Sequence, residues 1–192
     1  MNKFLMLLAV LFSLSLQGCM TYSHHELAQA SQWPPAAPVK AKPAAYLKVQ
    51  AEYALNEDRA NSGTNIAALE KLLKEELQGS QRFSKVSVER EPSDLYVTAT
   101  LRNHEEGSLG LAFLTGFTFF LIPNKVDNTL SLELTFRDGE GRKLGQVSKQ
   151  EKLTTWMHLV LIFALPFNES SDKVIRDLAR SALEDAAGKG LI

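Results

Sequence analysis

Few side chains in this sequence could do chemistry. Cys19 is the single cysteine and stands directly after Leu16-Gln17-Gly18; the histidines fall at His24, His25, His104 and His158. Catalysis needs a nucleophile with its base, or a metal cluster. The adjacent imidazoles at 24 and 25 could hold a metal, but the proline-rich stretch around them offers no further ligands. His104 lies in Asn103-His104-Glu105-Glu106, where neighbours one and two positions apart point to different faces of a strand, so a solvated strand end is expected there. His158 sits inside an apolar run, as a satisfied or interfacial histidine does. Gly107-Ser108-Leu109-Gly110 and Gly139-Glu140-Gly141 lack the strand-to-helix setting of a phosphate loop. No catalytic residue and no metal site are expected, and the protein reads as a non-enzyme.

The surroundings of Cys19 are more informative. Lys3 is followed by an apolar run from Phe4 to Leu16 and then by small residues. A basic start, an apolar core and a small-residue cut make a secretory signal over residues 1–18. As a membrane span the run is short of the roughly twenty apolar residues required. Its ending, Leu16-Gln17-Gly18-Cys19, resembles the lipobox of bacterial lipoproteins. The resemblance implies that the Cys19 thiol receives a diacylglyceryl group, that the chain is cut before it, and that the new amine takes a fatty acyl chain. No other cofactor is expected. Several acyl chains together anchor a protein durably where one holds it only marginally. In that family an aspartate after the cysteine commonly retains the protein at the inner membrane. Met20 stands there instead, so the resemblance implies the periplasmic face of the outer membrane.

Charge narrows the partners. Of 21 Lys and Arg, Lys3 lies in the signal, which leaves 20 against 22 Asp and Glu, a slightly acidic mature chain. That excludes the basic stripe of a nucleic-acid binder and a polybasic grip on anionic lipid. With its one cysteine lipidated, the chain has no disulfide and relies on its core.

Residues 19–43 carry no apolar periodicity and include Pro34, Pro35, Pro38 and Pro43, which predicts a lipidated cysteine followed by a proline-rich tether. Residues 44–192 are expected to form one periplasmic α+β domain. Leu47, Val49, Ala51 and Tyr53 alternate with polar residues as in a half-buried strand. Ile66, Leu69, Leu72, Leu73 and Leu77 recur at helical spacing before Gly79. Short strands are expected over 83–88 and 95–101, and a hairpin over 129–152 around Asp138-Gly139-Glu140-Gly141. Ile175, Leu178, Ala179, Ala182, Leu183 and Ala186 mark a last helix. The sum is an antiparallel-rich sheet of about five strands, with two helices on one face.

Two apolar insert segments, 107–124 and 153–168, interrupt this plan. Neither contains a formal charge, and together they hold six of the ten phenylalanines. One enters the hairpin and the other leaves it, so both should emerge at the end opposite Asp138-Gly139. They form either one internal cluster or one exposed patch, and a large exposed patch marks a partner or membrane site. Trp156 weighs toward the patch, because Trp favours boundaries between apolar and wet regions. The candidate interface residues are Phe113, Phe117, Phe119, Phe120, Trp156, Leu159, Phe163 and Phe167.

The order of elements resembles small α+β domains of envelope lipoproteins and assembly factors, such as the curli-secretion lipoprotein and the lipoprotein activators of peptidoglycan synthases. The likeness is architectural, so neither pore formation nor synthase activation carries over. The expectation is a membrane-anchored accessory or assembly module whose apolar segments bind an envelope protein, a second copy or the bilayer. The alternative is a lipid- or hydrophobic-ligand-binding protein with the segments closed around a cavity.

Overall fold

The computed structural model describes residues 18–36, 41–61 and 63–192, without the side chains of residues 162, 164, 165 and 167. The expected signal lies outside these residues except for Gly18. The elements in chain order are β1 (Cys19–Ser23), β2 (Ala44–Leu55), β3 (Asp58–Ala60), α1 (Ile66–Gly79), β4 (Lys85–Ser87), β5 (Leu95–Gly107), α2 (Leu109–Phe117), β6 (Asn124–Asp138), β7 (Lys143–Met157), a 3-10 helix (Leu159–Phe167) and α3 (Ser171–Gly188).

Among the described residues the strands form one seven-stranded sheet in the order β1-β7-β6-β5-β2-β3, with β4 beside the start of β2. The pairings β2/β5 and β2/β4 are parallel, and all others are antiparallel. The architecture is the expected antiparallel-rich α+β fold. It is wider than five strands because β1 and β3, too short and too polar to show a period, add to it.

The alternation along the strands decides which face is covered. Leu47, Val97, Ala99, Leu101, Leu132, Leu134, Phe136 and Val147 are buried on one face. Against them lie Leu69, Leu72, Leu73 and Leu77 of α1 and Leu178, Ala179, Ala182, Leu183 and Ala186 of α3. The two helices are tied to each other by the buried Glu76, which accepts from Arg176 at 2.6 Å and Arg180 at 2.8 Å. The opposite face is solvated. On it Arg102 bridges Glu52 and Glu133 at 2.9 and 3.0 Å, across three strands.

The stretch expected to be a free tether is docked over its described part. Cys19–Ser23 pairs with β7 from Met157 to Leu153. The buried Glu151 carboxylate accepts from the Leu27 and Glu26 N–H groups at 2.8 and 3.3 Å, and Glu184 accepts from the Ser31 N–H and hydroxyl. Trp33 lies against Gly79 and under the Arg180 guanidinium, 5.5 Å from the ring centre. The buried Arg82 donates to the Pro35 carbonyl at 2.7 Å. Periodicity misses such a segment because side-chain carboxylates satisfy its backbone and two isolated apolar residues, Leu27 and Trp33, pack it down. Residues 37–40 lie outside the description.

Candidate functional site

The hairpin is longer than its apolar alternation suggested. Strands β6 and β7 pair from Phe136↔Gly145 to Asn124↔Met157, with an irregularity at Arg137. Residues 153–157, the start of the second apolar segment, are therefore strand. What remains of both segments projects from the same end of the sheet, opposite the Asp138–Arg142 turn.

Helix α2 begins where β5 ends. The Ser108 hydroxyl caps it by accepting from the Leu111 N–H at 3.2 Å, which leaves Leu-Gly-Leu-Ala-Phe-Leu-Thr-Gly-Phe apolar on every side. The Thr115 and Thr118 hydroxyls donate back to the carbonyls of Leu111 and Leu114 at 2.9 and 2.8 Å, so the helix hides its own polar groups. After it, Phe119 and Phe120 take left-handed φ angles of 51° and 63°. For bulky side chains such angles store strain, which a surrounding network has to hold. Here the Phe120 N–H donates to the Thr115 carbonyl at 2.8 Å, and the Phe120 carbonyl accepts from the Leu159 N–H at 2.9 Å. That last bond ties the two segments together.

The result is open to solvent. Phe113, Phe117, Phe119 and Phe163 are 72, 74, 81 and 83% exposed, and Phe113 and Phe117 stack at 6.2 Å. Leu109, Leu121 and Val160 are also exposed, Phe120 and Leu159 are half-buried, and Phe167 lies outside the described side chains. Among the described residues no cavity is lined by both segments. A cleft of about 260 Å³ between β7 and α3 is lined instead by Ser23, His25, Glu151, Lys173 and Asp177 among others. Trp156 is 40% exposed, in register with Lys125 and Met20, and Tyr22 is exposed two residues along β1. Lys125 and Asp127 pair at 2.8 Å nearby. Their bond holds the lysine above and the aspartate below the ordinary range.

Cys19 stands at this same end. It lies opposite Met157, whose other neighbour is Asn124. The His158 N–H donates to the Gly18 carbonyl at 2.8 Å, and the Thr21 N–H donates to the Asn168 carboxamide. Burial pushes the Cys19 thiol up, so at neutral pH it is a neutral sulfhydryl rather than an activated thiolate. The other candidates do not converge on it. His104 contacts the Asn56 carbonyl at 2.7 Å at the end of β5, and His24 contacts the Thr154 hydroxyl at 2.8 Å. Among the described residues, no group of three or more His, Cys, Asp or Glu is placed to hold a metal ion. No described helix is long and apolar enough to cross a membrane.

Sequence reasoning located the apolar segments but missed the strand that brings Cys19 to them. The β-prone pair Thr21-Tyr22 was the available signal.

No protein-family model matches the chain, and no curated protein matches it. Among solved structures it is similar to the PelC dodecamer from Paraburkholderia phytofirmans, at 7% identity over 86% of this chain and 95% of that one, with a TM-score of 0.41. A point variant of that protein gives 9% identity over the same shares and 0.37. A minor lipoprotein from Acinetobacter baumannii gives 15% identity over 80% of this chain and 90% of that one, with 0.28. At these identities and TM-scores the likenesses assign neither a family nor a function.

Proposed function

We propose that this chain is a lipid-anchored, non-enzymatic envelope protein whose apolar end rests in the bilayer that holds its acyl chains. The observation that carries this is the register of Cys19 with Met157. It sets Cys19 against the 3-10 helix, at the end of the sheet from which α2 also projects, rather than at the far end of a tether. Acyl chains on Cys19 would leave no slack, so the surface brought to the membrane is the one rich in exposed phenylalanine. Trp156, Tyr22 and Lys125 then fall where amphipathic side chains favour the headgroup layer. Neither apolar segment is long enough to span, which suits insertion into one leaflet. Met20 after the cysteine supports the outer membrane as the address.

The test is lipid labelling with separation of the membranes. Wild-type protein is expected in the outer-membrane fraction with diacylglyceryl and acyl groups on Cys19, and Cys19→Ala is expected to stay as unprocessed precursor. An unmodified Cys19 in the wild-type membrane fraction would overturn the anchor. An anchored protein whose apolar end binds no lipid would instead point to a protein partner or a second copy on that surface.

A further inference from the structure

Resting on the lipid-anchor reading, we infer that the domain itself contains a binding slot for the N-acyl group of Cys19, one that accepts an unbranched chain. The observation is the treatment of Gly18. Its residue is buried, and its carbonyl accepts the His158 N–H at 2.8 Å, extending the β1/β7 ladder by one bond beyond Cys19. Its Cα lies so close to the backbone that follows β7 that a Cβ would meet the His158 carbonyl oxygen at 2.1 Å, the His158 carbonyl carbon at 3.0 Å and the Leu159 oxygen at 3.1 Å. Contacts of that kind against backbone leave no room for a substituent at that position of the Cα, so a methylene fits and a carbon substituted at every position does not.

The chemistry of maturation removes and restores this group. Hydrolysis of the Gly18–Cys19 bond consumes one water, leaving a carboxylate on Gly18 and an ammonium on Cys19. Acyl transfer from a phospholipid ester then forms an N–C(O) bond and breaks the ester C–O bond. The deprotonated amine is the nucleophile, and the proton it loses ends on the lysophospholipid hydroxyl. The product, R–CH2–C(O)–NH–Cys19, repeats the atoms of Gly18-Cys19 from Cα onward. The acyl carbonyl replaces the Gly18 carbonyl at the His158 N–H. The first methylene replaces the Gly18 Cα in the slot, at the apolar end. Between the two steps the bare ammonium gives His158 no acceptor. Acylation therefore closes the last rung of the sheet as well as adding an anchor.

The test uses the mature chain from residue 19 prepared by ligation with four N-termini: free amine, acetyl, linear butanoyl and the α-branched pivaloyl. Hydrogen exchange is read at the His158 amide, with the Leu134 amide as a fold control expected to be equal in all four. The acetyl and butanoyl chains are expected to slow His158 exchange by on the order of tenfold over the free amine, the effect of one net hydrogen bond. The pivaloyl chain should exchange like the free amine. Equal His158 exchange in all four, or protection by pivaloyl matching butanoyl, would overturn the slot. Intact mass of the cell-derived protein separates the two levels. Absence of lipid on Cys19 defeats the anchor reading and the slot with it, whereas an acylated Cys19 with an unprotected His158 defeats only the slot.

Discussion

Helices α1 and α2 are both rich in leucine, yet one is the centre of the core and the other is bare. In α1 the leucines fall on one stripe, with Lys71 exposed and Glu75 bonded to Arg176 of α3 at 2.8 Å, and α3 and the sheet cover that stripe. In α2 the apolar residues run all round, and only Thr115 is buried. Hydrophobicity alone therefore does not decide burial here. An apolar stripe backed by charge finds one partner inside the fold, whereas a helix apolar on every side has no wet face to turn outward. It needs either enclosure or an apolar medium. Among the described residues, Phe113, Phe117 and Phe163 at that end stay exposed.

The contrast breaks first in the core. Leu73→Ala in α1 removes a fully buried side chain and is expected to cost about 2–5 kcal/mol, read as a lower urea midpoint. A change below 1 kcal/mol would mean that α1 is no better packed than α2. Next is the segment that periodicity left as a tether. Trp33→Ala gives up contact with Gly79 and the Arg180 guanidinium, and roughly 1–3 kcal/mol should be lost. Unchanged stability would return residues 24–36 to the role of a spacer and detach Cys19 from the domain.

Acid probes the same docking more gently. For Glu151, burial alone raises its pKa, but the N–H groups of Leu27 and Glu26, the Ser23 hydroxyl and the Lys152 N–H outweigh it, so the carboxyl ends below its ordinary range. The Ser31 hydroxyl likewise lowers Glu184. A depressed folded pKa contributes stability that is complete above the unfolded value and is lost as pH falls through the folded one. Residues 26–32 are therefore expected to stay docked at neutral pH and to gain hydrogen exchange as pH drops below the ordinary carboxylate range. Equal protection of the Leu27 amide on both sides of that range would contradict the carboxylate clamp.

The difference between regions also explains what was readable from the residues. Strands β2, β5, β6 and β7 and helices α1 and α3 alternate cleanly because each has one wet face. Segments 107–124 and 153–168 have none, so periodicity could only say that they were apolar, and whether they were core or surface depended on tertiary placement. The site was half legible. Cys19 stood out by its local motif and the phenylalanines by their lack of charge. Their proximity was not legible, because β1 is held by register with β7 and by the Glu151 and Glu184 carboxylates, all more than 120 residues away.

The smallest expected effect on stability accompanies the most direct measurement. The chain from residue 19 carrying Cys19→Ser, which removes the thiol proposed to carry lipid, is compared with the same chain carrying Phe113→Ser, Phe117→Ser and Phe163→Ser, by flotation with phosphatidylethanolamine–phosphatidylglycerol vesicles. Each exposed phenylalanine should change stability by no more than about 0.5 kcal/mol. The parent is expected to rise with the vesicles and the triple variant to remain at the bottom with a nearly unchanged urea midpoint. Equal flotation of both, or a collapse of the triple variant's midpoint, would contradict the claim that the apolar end is a bilayer-facing surface.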